Sequence, residues 1–162
     1  MKSKISFPIA VVILMFLLGC NESSQKIHDN EATAKAFIEA WSSHDSGNLT
    51  ALFADSCLYE EVASGRKFNT KEEIADYLNR TVSGIPDTKF EVVDVTASEN
   101  MAMVEWVWTG TNAVGWANMN IPATNKHFEV RGVSVMEIEN NRIRKNRDYW
   151  DWNTFLKGIG VE

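Results

Sequence analysis

The sequence predicts an α+β domain in which an antiparallel sheet carries helices on one face. Two segments with helical periodicity come first. After Pro86 the apolar period changes from that of a helix to the period of two expected of strands, and the later strands follow one another through short turns. Alternating strand–helix–strand units are absent, which disfavours a parallel doubly wound sheet.

The N-terminus bears on compartment rather than fold. Lys2 and Lys4 precede an apolar run over residues 5–18, broken only by Ser6 and Pro8. That run is too short to span a bilayer comfortably, so residues 1–19 read as a cleaved signal peptide. Leu17-Leu18-Gly19-Cys20 matches a lipobox and resembles the processing site of bacterial lipoproteins. The resemblance implies acylation of Cys20, which becomes the first residue and anchors the chain on the extracytoplasmic side of a cell-envelope membrane. Two or more acyl chains, palmitate among them, make such an anchor stable. Residues 20–30 are polar apart from Ile27 and read as a tether. The folded domain is expected over residues 31–162.

Within it, Ala32, Ala36, Phe37, Ala40 and Trp41 form one helical stripe over residues 31–44, with Asp29 or Asn30 as cap and Gly47 after the end. Leu49, Leu52 and Phe53 predict a short second helix. Residues 56–62 read as a strand, Gly65 as a turn, and Lys67-Phe68 as a short return strand. Thr70-Lys71-Glu72-Glu73 is a capping box; Ile74, Tyr77, Leu78 and Val82 supply the next helical stripe, and Gly84 and Pro86 end it. Residues 90–97 alternate as a strand. Residues 101–111 follow, with Ala102, Val104, Trp106 and Trp108 on one face. A long connection over 112–125 leads to a strand at 128–138. Asn140-Asn141 makes a two-residue hairpin turn before a strand at 143–151, and residues 153–157 form a terminal helical turn.

The chain carries 16 basic and 22 acidic residues, a formal net charge of −6. Loss of residues 1–19 removes Lys2 and Lys4 and no acid, leaving 14 against 22, or −8. Such a balance argues against nucleic acid and against adhesion to anionic lipid heads. With Cys20 acylated, Cys57 has no disulfide partner and reads as a small buried hydrophobe on a strand. No metal-binding spacing, Gly-rich phosphate loop or nucleophile elbow is present, so neither a metal nor another cofactor is expected.

Several segments resemble the SnoaL-like polyketide-cyclase family, within the nuclear transport factor two-like superfamily. Pro122-Ala123-Thr124-Asn125-Lys126 resembles a family P-A-T-G-K segment, and Arg131-Gly132-Val133 its continuation. Asn140-Asn141-Arg142-Ile143 stands where the family tends to have D-G-K-I. Arg147-Asp148-Tyr149-Trp150-Asp151 resembles an R-D-Y-W-D ending, and residues 155–160 its final L-L-R-Q-L-G, with Gly158 in place of Gln. Asn125 and Asn141 replace Gly, which Asn can do at positive φ. The resemblance implies a cone-shaped curved antiparallel sheet wrapped around N-terminal helices, a cystatin-like arrangement with a pocket at one end. It also implies frequent homodimers through sheet-to-sheet contact. It does not fix a reaction, because the superfamily contains enzymes of several classes and members without catalysis.

Family cyclases use a pocket aspartate as general acid/base. Asp148 and Asp151 are the candidates, at the end of the last strand beside Tyr149, Trp150 and Trp152. Their odd spacing places them on opposite faces of a regular strand. Parity favours Asp148; the family's terminal W-D favours Asp151; a carboxylate bound to Arg144, Arg147 or a backbone amide is the structural alternative. A carboxyl group walled by indoles would have a raised pKa suited to proton transfer at carbon. His127, at the start of the long strand, is a third candidate for polarising a carbonyl, against a plain exposed position. His44 reads as a helix-end residue and His28 as part of the tether. Six tryptophans are many for this size. Trp41, Trp106, Trp108, Trp150 and Tyr59 are expected around an apolar pocket for a small hydrophobic molecule, against a plain core or a dimer face; Trp41 and Trp106 are expected as core or pocket wall and Trp116 on a lid-like loop. Glu60, Glu61 and Glu105 are expected in solvent, with one of them facing the cavity as the lesser alternative. Three readings follow: cofactor-free acid/base chemistry of cyclase or isomerase type on a small apolar carbonyl compound, a non-catalytic envelope lipoprotein binding a ligand or partner, and, behind these, a purely structural envelope protein acting through a dimer face.

Overall fold

The structure, a computed structural model, describes residues 7–116 and 119–161, with side chains from Glu22 onward. Lys2, Lys4 and the Cys20 side chain lie outside the described residues. The element order is α1 (Phe7–Ser42), α2 (Ser46–Ala51), β1 (Phe53–Glu61), β2 (Arg66–Phe68), α3 (Lys71–Gly84), β3 (Lys89–Ala97), β4 (Met101–Thr111), β5 (His127–Glu139), β6 (Arg142–Trp150) and α4 (Trp152–Ile159). The six strands form one sheet in the order β2-β1-β6-β5-β4-β3.

The helix expected to start at residue 31 is continuous from Phe7. The polar stretch of residues 22–30 is therefore helical here. It is held by Asn30, which is buried and donates from Nδ2 to the Ser98 carbonyl at 2.8 Å. The buried stripe of α1 is Asn30, Ala34, Phe37, Ile38, Ala40 and Trp41: Phe37, Ala40 and Trp41 are buried as expected, while Ala32 and Ala36 are exposed and Ala34 and Ile38 take their place at helical spacing. Gly47 does not end α1; it lies in α2, whose N-cap is Asp45, and Phe53 belongs to β1.

The second helical prediction holds closely. Thr70 caps α3 through Glu73 N, and Ile74, Tyr77, Leu78 and Thr81 are buried. So does the alternation of β4, where Ala102, Val104, Trp106 and Trp108 point inward. Gly132 stands opposite Trp106 on β5, and a Cβ there would overlap the indole, so the glycine gives the ring its space. Asn140 and Asn141 have φ of 51° and 58°, the left-handed pair a type I′ turn demands, and Asn125 has φ of 55°.

One pairing departs from an all-antiparallel sheet: β1 lies parallel to β6, with Tyr59 beside Asn146 and Glu61 beside Asp148. The other four pairings are antiparallel. Register shifts in the β3–β4, β1–β6 and β5–β6 pairs bend the sheet around α1, α2 and α3. Tyr59, Phe37, Phe53, Phe68 and Tyr77 fill the hollow with ring centroids 4.6–6.2 Å apart. Cys57 is buried on β1 as expected, and burial pushes its thiol up. The convex face leaves Met101, Met103 and Tyr149 exposed.

Candidate active site

Asp148 sits on the inner face of β6 at 7% exposure. Strand pairing brings three donors to it. Tyr59 on β1 donates its hydroxyl to Oδ2. Ser134, directly opposite on β5, donates to Oδ1 at 2.7 Å, and Asn146 Nδ2, one pleat away on β6, does so at the same distance. Ser134 Oγ in turn accepts from Trp106 Nε1 at 2.9 Å. Burial pushes the Asp148 carboxyl up to about 6, against the three hydrogen bonds that pull it down. Burial and the neighbouring Asp148 carboxylate hold the Tyr59 hydroxyl well above its ordinary value, so it stays a donor.

Glu61, expected in solvent, is fully buried beside Asp148. The turn after β1 compensates its charge: Arg66 Nη2 reaches Oε2 at 3.0 Å, Ser64 N donates to Oε1 at 3.1 Å, and the Ser64 hydroxyl also donates. An unpaired carboxylate here would be prohibitively costly. The Arg66 guanidinium also lies over the Tyr77 ring, 5.0 Å from its centroid. Glu60 pairs with Lys67 and is half-buried; Glu105 is exposed beside Arg131, as expected.

The open end of the cone is a cleft between α3, the 112–126 connection and the β6–α4 junction. Trp108, Trp116, Trp150 and Trp152 supply its indoles. Arg66, Tyr77, Arg80, Thr81 and Met119 complete it. It encloses about 20 Å³, room for one water. Of the tryptophans and the tyrosine expected to wall a pocket, Trp108 and Trp150 do so. Trp41, Trp106 and Tyr59 do not: Trp41 and Trp106 take the core alternative, Tyr59 joins them there, and the hollow is filled by their own rings. Trp116 reaches the cleft from the loop, packed on Gly84, its Nε1 donating to the Arg80 carbonyl at 3.2 Å.

The other candidates lie elsewhere. Asp151 is exposed at the N-cap of α4, where it accepts from Asn153 N at 2.9 Å and Thr154 Oγ1 at 2.6 Å. Those hydrogen bonds hold its carboxyl below the usual carboxylate range, the opposite of what an acid/base residue needs. The strand ends between the two aspartates, and the second became a cap. His127 is exposed at the start of β5 and pairs across to Thr111, away from the cleft. His44 has φ of 59°, and its Nε2 lies 2.8 Å from the Thr88 carbonyl, which can only accept, so that nitrogen carries the proton. Sequence reasoning missed Arg66, Arg80, Ser134 and Asn146, and it held an inward-facing Glu61 only as the lesser alternative to a solvated one. The parallel β1–β6 register brings Glu61 beside Asp148 and the antiparallel β5–β6 register brings Ser134 opposite it, neither of which a local pattern announces; Asn146 shares the face of Asp148 by strand parity alone.

The matches to known proteins agree with this fold. Residues 34–146 match the family model described as a SnoaL-like domain, and the chain belongs to that family. A putative SnoaL-like polyketide cyclase from Jannaschia sp. CCS1 superposes with a TM-score of 0.74 at 14% identity, over 84% of this chain and 94% of that one. IdmH, a putative polyketide cyclase from Streptomyces antibioticus, gives 0.69 at 22% identity, over 80% and 97%. A hypothetical protein of ketosteroid isomerase-like fold from Catenulispora acidiphila, solved with trimethylamine, gives 0.69 at 20%, over 79% and 92%. At these identities the likeness is one of fold. No curated protein matches the sequence.

The raised Asp148 carboxyl makes stability depend on pH. Between its ordinary value of 3.8 and about 6, the folded protein keeps a proton that the unfolded chain has released. Folding therefore loses stability as pH rises through that window, by about 3 kcal/mol for a shift of roughly two units. The stability of wild type relative to Asp148→Asn, from urea unfolding, should fall by that order between pH 4 and 7. A difference independent of pH would refute the assignment.

Proposed function

We propose that the protein is an envelope-anchored SnoaL-like domain that performs cofactor-free acid/base chemistry on a small apolar carbonyl compound, with Asp148 as the proton carrier. The supporting observation is the placement of Asp148: a buried carboxyl, pushed up to about 6, two residues before the Trp150 that borders the cleft; Asp148 does not itself line the cleft, so the reading requires the aromatic side chains to part and admit the substrate to it. At neutral pH it is a carboxylate able to take a proton from carbon α to a carbonyl. Near its pKa the protonated form can return that proton. Tyr59, Ser134 and Asn146 hold it in one orientation. Asp151 and His127 have no part in this reading.

The test uses 2-acetonaphthone in D₂O, with exchange of its methyl protons followed by NMR. Wild type should accelerate exchange, with a rate that rises with pH through about 6 as the carboxylate forms. Asp148→Asn should abolish the acceleration while still folding, because its amide can accept from Ser134 and Asn146 and donate to the Tyr59 hydroxyl. Exchange in Asp148→Asn equal to that in wild type ends the proposal.

The narrow cleft favours a second reading, a non-catalytic binding protein. In that case ligands quench tryptophan fluorescence and the ketone returns without deuterium.

Two further parts of the proposal concern partners. Cys20 carries the lipid anchor, as the lipobox implies; Cys20→Ser should lose incorporation of labelled palmitate and leave the membrane fraction, and retention of label would remove the anchor. The convex sheet face is a homodimer surface, supported by the exposed Met101, Met103 and Tyr149 with Arg131, Glu105, Arg147 and Glu137 around them. Met103→Glu should convert a dimer to a monomer in analytical ultracentrifugation. A wild-type monomer at high concentration would dismiss the dimer.

A further inference from the structure

The cleft differs in charge from the rest of the molecule. The chain's formal net charge is −6, yet the cleft is bordered by two guanidiniums, Arg66 and Arg80, and by no carboxylate. The two arginines are not equivalent. Arg66 is committed to buried Glu61 at 3.0 Å and to the Tyr77 ring. Arg80 is 53% exposed, and its ion pair is a loose one, 3.9 Å from an Asp76 oxygen that is itself well exposed. An exposed pair of that length within one helix contributes little and exchanges readily for a better partner. Arg80 therefore stands at the rim as a fork-shaped donor available to an incoming anion.

The remaining lining is aromatic. Trp108, Trp116, Trp150 and Trp152 meet around Phe155, with ring centroids 5.3–5.8 Å from it. Indoles alone attract flat rings, and they attract cations even more. With the Arg66 charge met by Glu61, it is the Arg80 guanidinium that opposes a cation and favours an anion in its place. Because the enclosed room is about 20 Å³, a ring enters only if the indoles part, or else lies across the mouth. Arg80, on the border of the cleft in either case, is the exposed donor within its lining for a polar end.

We propose that the ligand of this cleft is a planar aromatic compound bearing a carboxylate, with the ring against the tryptophans and the carboxylate on Arg80. The inference rests on the reading above that the cleft receives the ligand, and it narrows the carbonyl compound to an acidic one. The acidic surface elsewhere repels such an anion, so capture depends on the local field of the rim, which falls off within a Debye length of about 8–10 Å at ordinary salt.

Calorimetric titrations of the full chain with three probes of one ring system test it: 2-naphthoate, neutral 2-acetonaphthone, and cationic 2-naphthylmethyl-trimethylammonium. Naphthoate should bind about fivefold more tightly than the ketone, with the cation weakest, as expected of one partly exposed charge-assisted contact. The preference should shrink as salt rises. Arg80→Gln should erase it, while Arg131→Gln, which removes the same charge from the convex face, should keep it. Equal binding of naphthoate and ketone, tightest binding of the cation, or a preference that survives Arg80→Gln overturns the inference. Continued catalysed exchange of the ketone in that event leaves the acid/base reading standing. Failure of all three probes to bind at millimolar concentration overturns both.

Discussion

Asp148 accepts hydrogen bonds from side chains on three strands: Tyr59 on β1, Ser134 on β5 and Asn146 on β6 itself. Hydrogen bonds to a charged group contribute about 1.5–3 kcal/mol each, and losing one leaves a buried donor unpaired. The carboxylate therefore fixes the side-by-side placement of β1, β6 and β5 at the one place where the sheet is parallel. That parallel pairing brings Glu61 next to Asp148 and makes the Arg66 ion pair necessary. Arg66 then lies over Tyr77, which forms one wall of the cleft. A single buried acid thus links strand order, the second buried carboxylate and the shape of the mouth.

The cone is closed largely by aromatic side chains. Large rings bury much apolar surface while losing few rotamers, which suits a small domain with a single core. The same packing fills the interior and leaves the cleft at the end as the place where a ligand meets the tryptophans. Glycines set where the rings go. Gly132 makes room for Trp106, Gly84 for Trp116, and Gly158 lets α4 approach Phe128, where a Cβ would stand 2.9 Å from the Phe128 Cβ. Gly in place of the Gln of the resembling segment at position 158 thus has a steric reason.

Much of the fold was legible in the sequence because its signals are local. The capping box at Thr70, the stripe of α3, the alternation of β4 and the Asn140-Asn141 turn each act within a few residues of themselves, and each appears in the structure as read. The start of α1 was misread because residues 22–30 are polar, and polarity alone does not tell a tether from a solvated helix. The contact that holds this segment, Asn30 to Ser98, spans 68 positions.

The sequence by itself determined the element types, the order of helices before hairpins and the inward parity of Asp148 with Trp150, since period and parity are properties of neighbouring residues. Only the tertiary structure decided that Glu61 is buried, that Asp151 caps a helix rather than facing the cleft, and that Trp41, Trp106 and Tyr59 fill the core. Those outcomes depend on which strand lies beside which and on where a strand stops. Both are set by contacts between residues far apart in the chain, which no local pattern encodes.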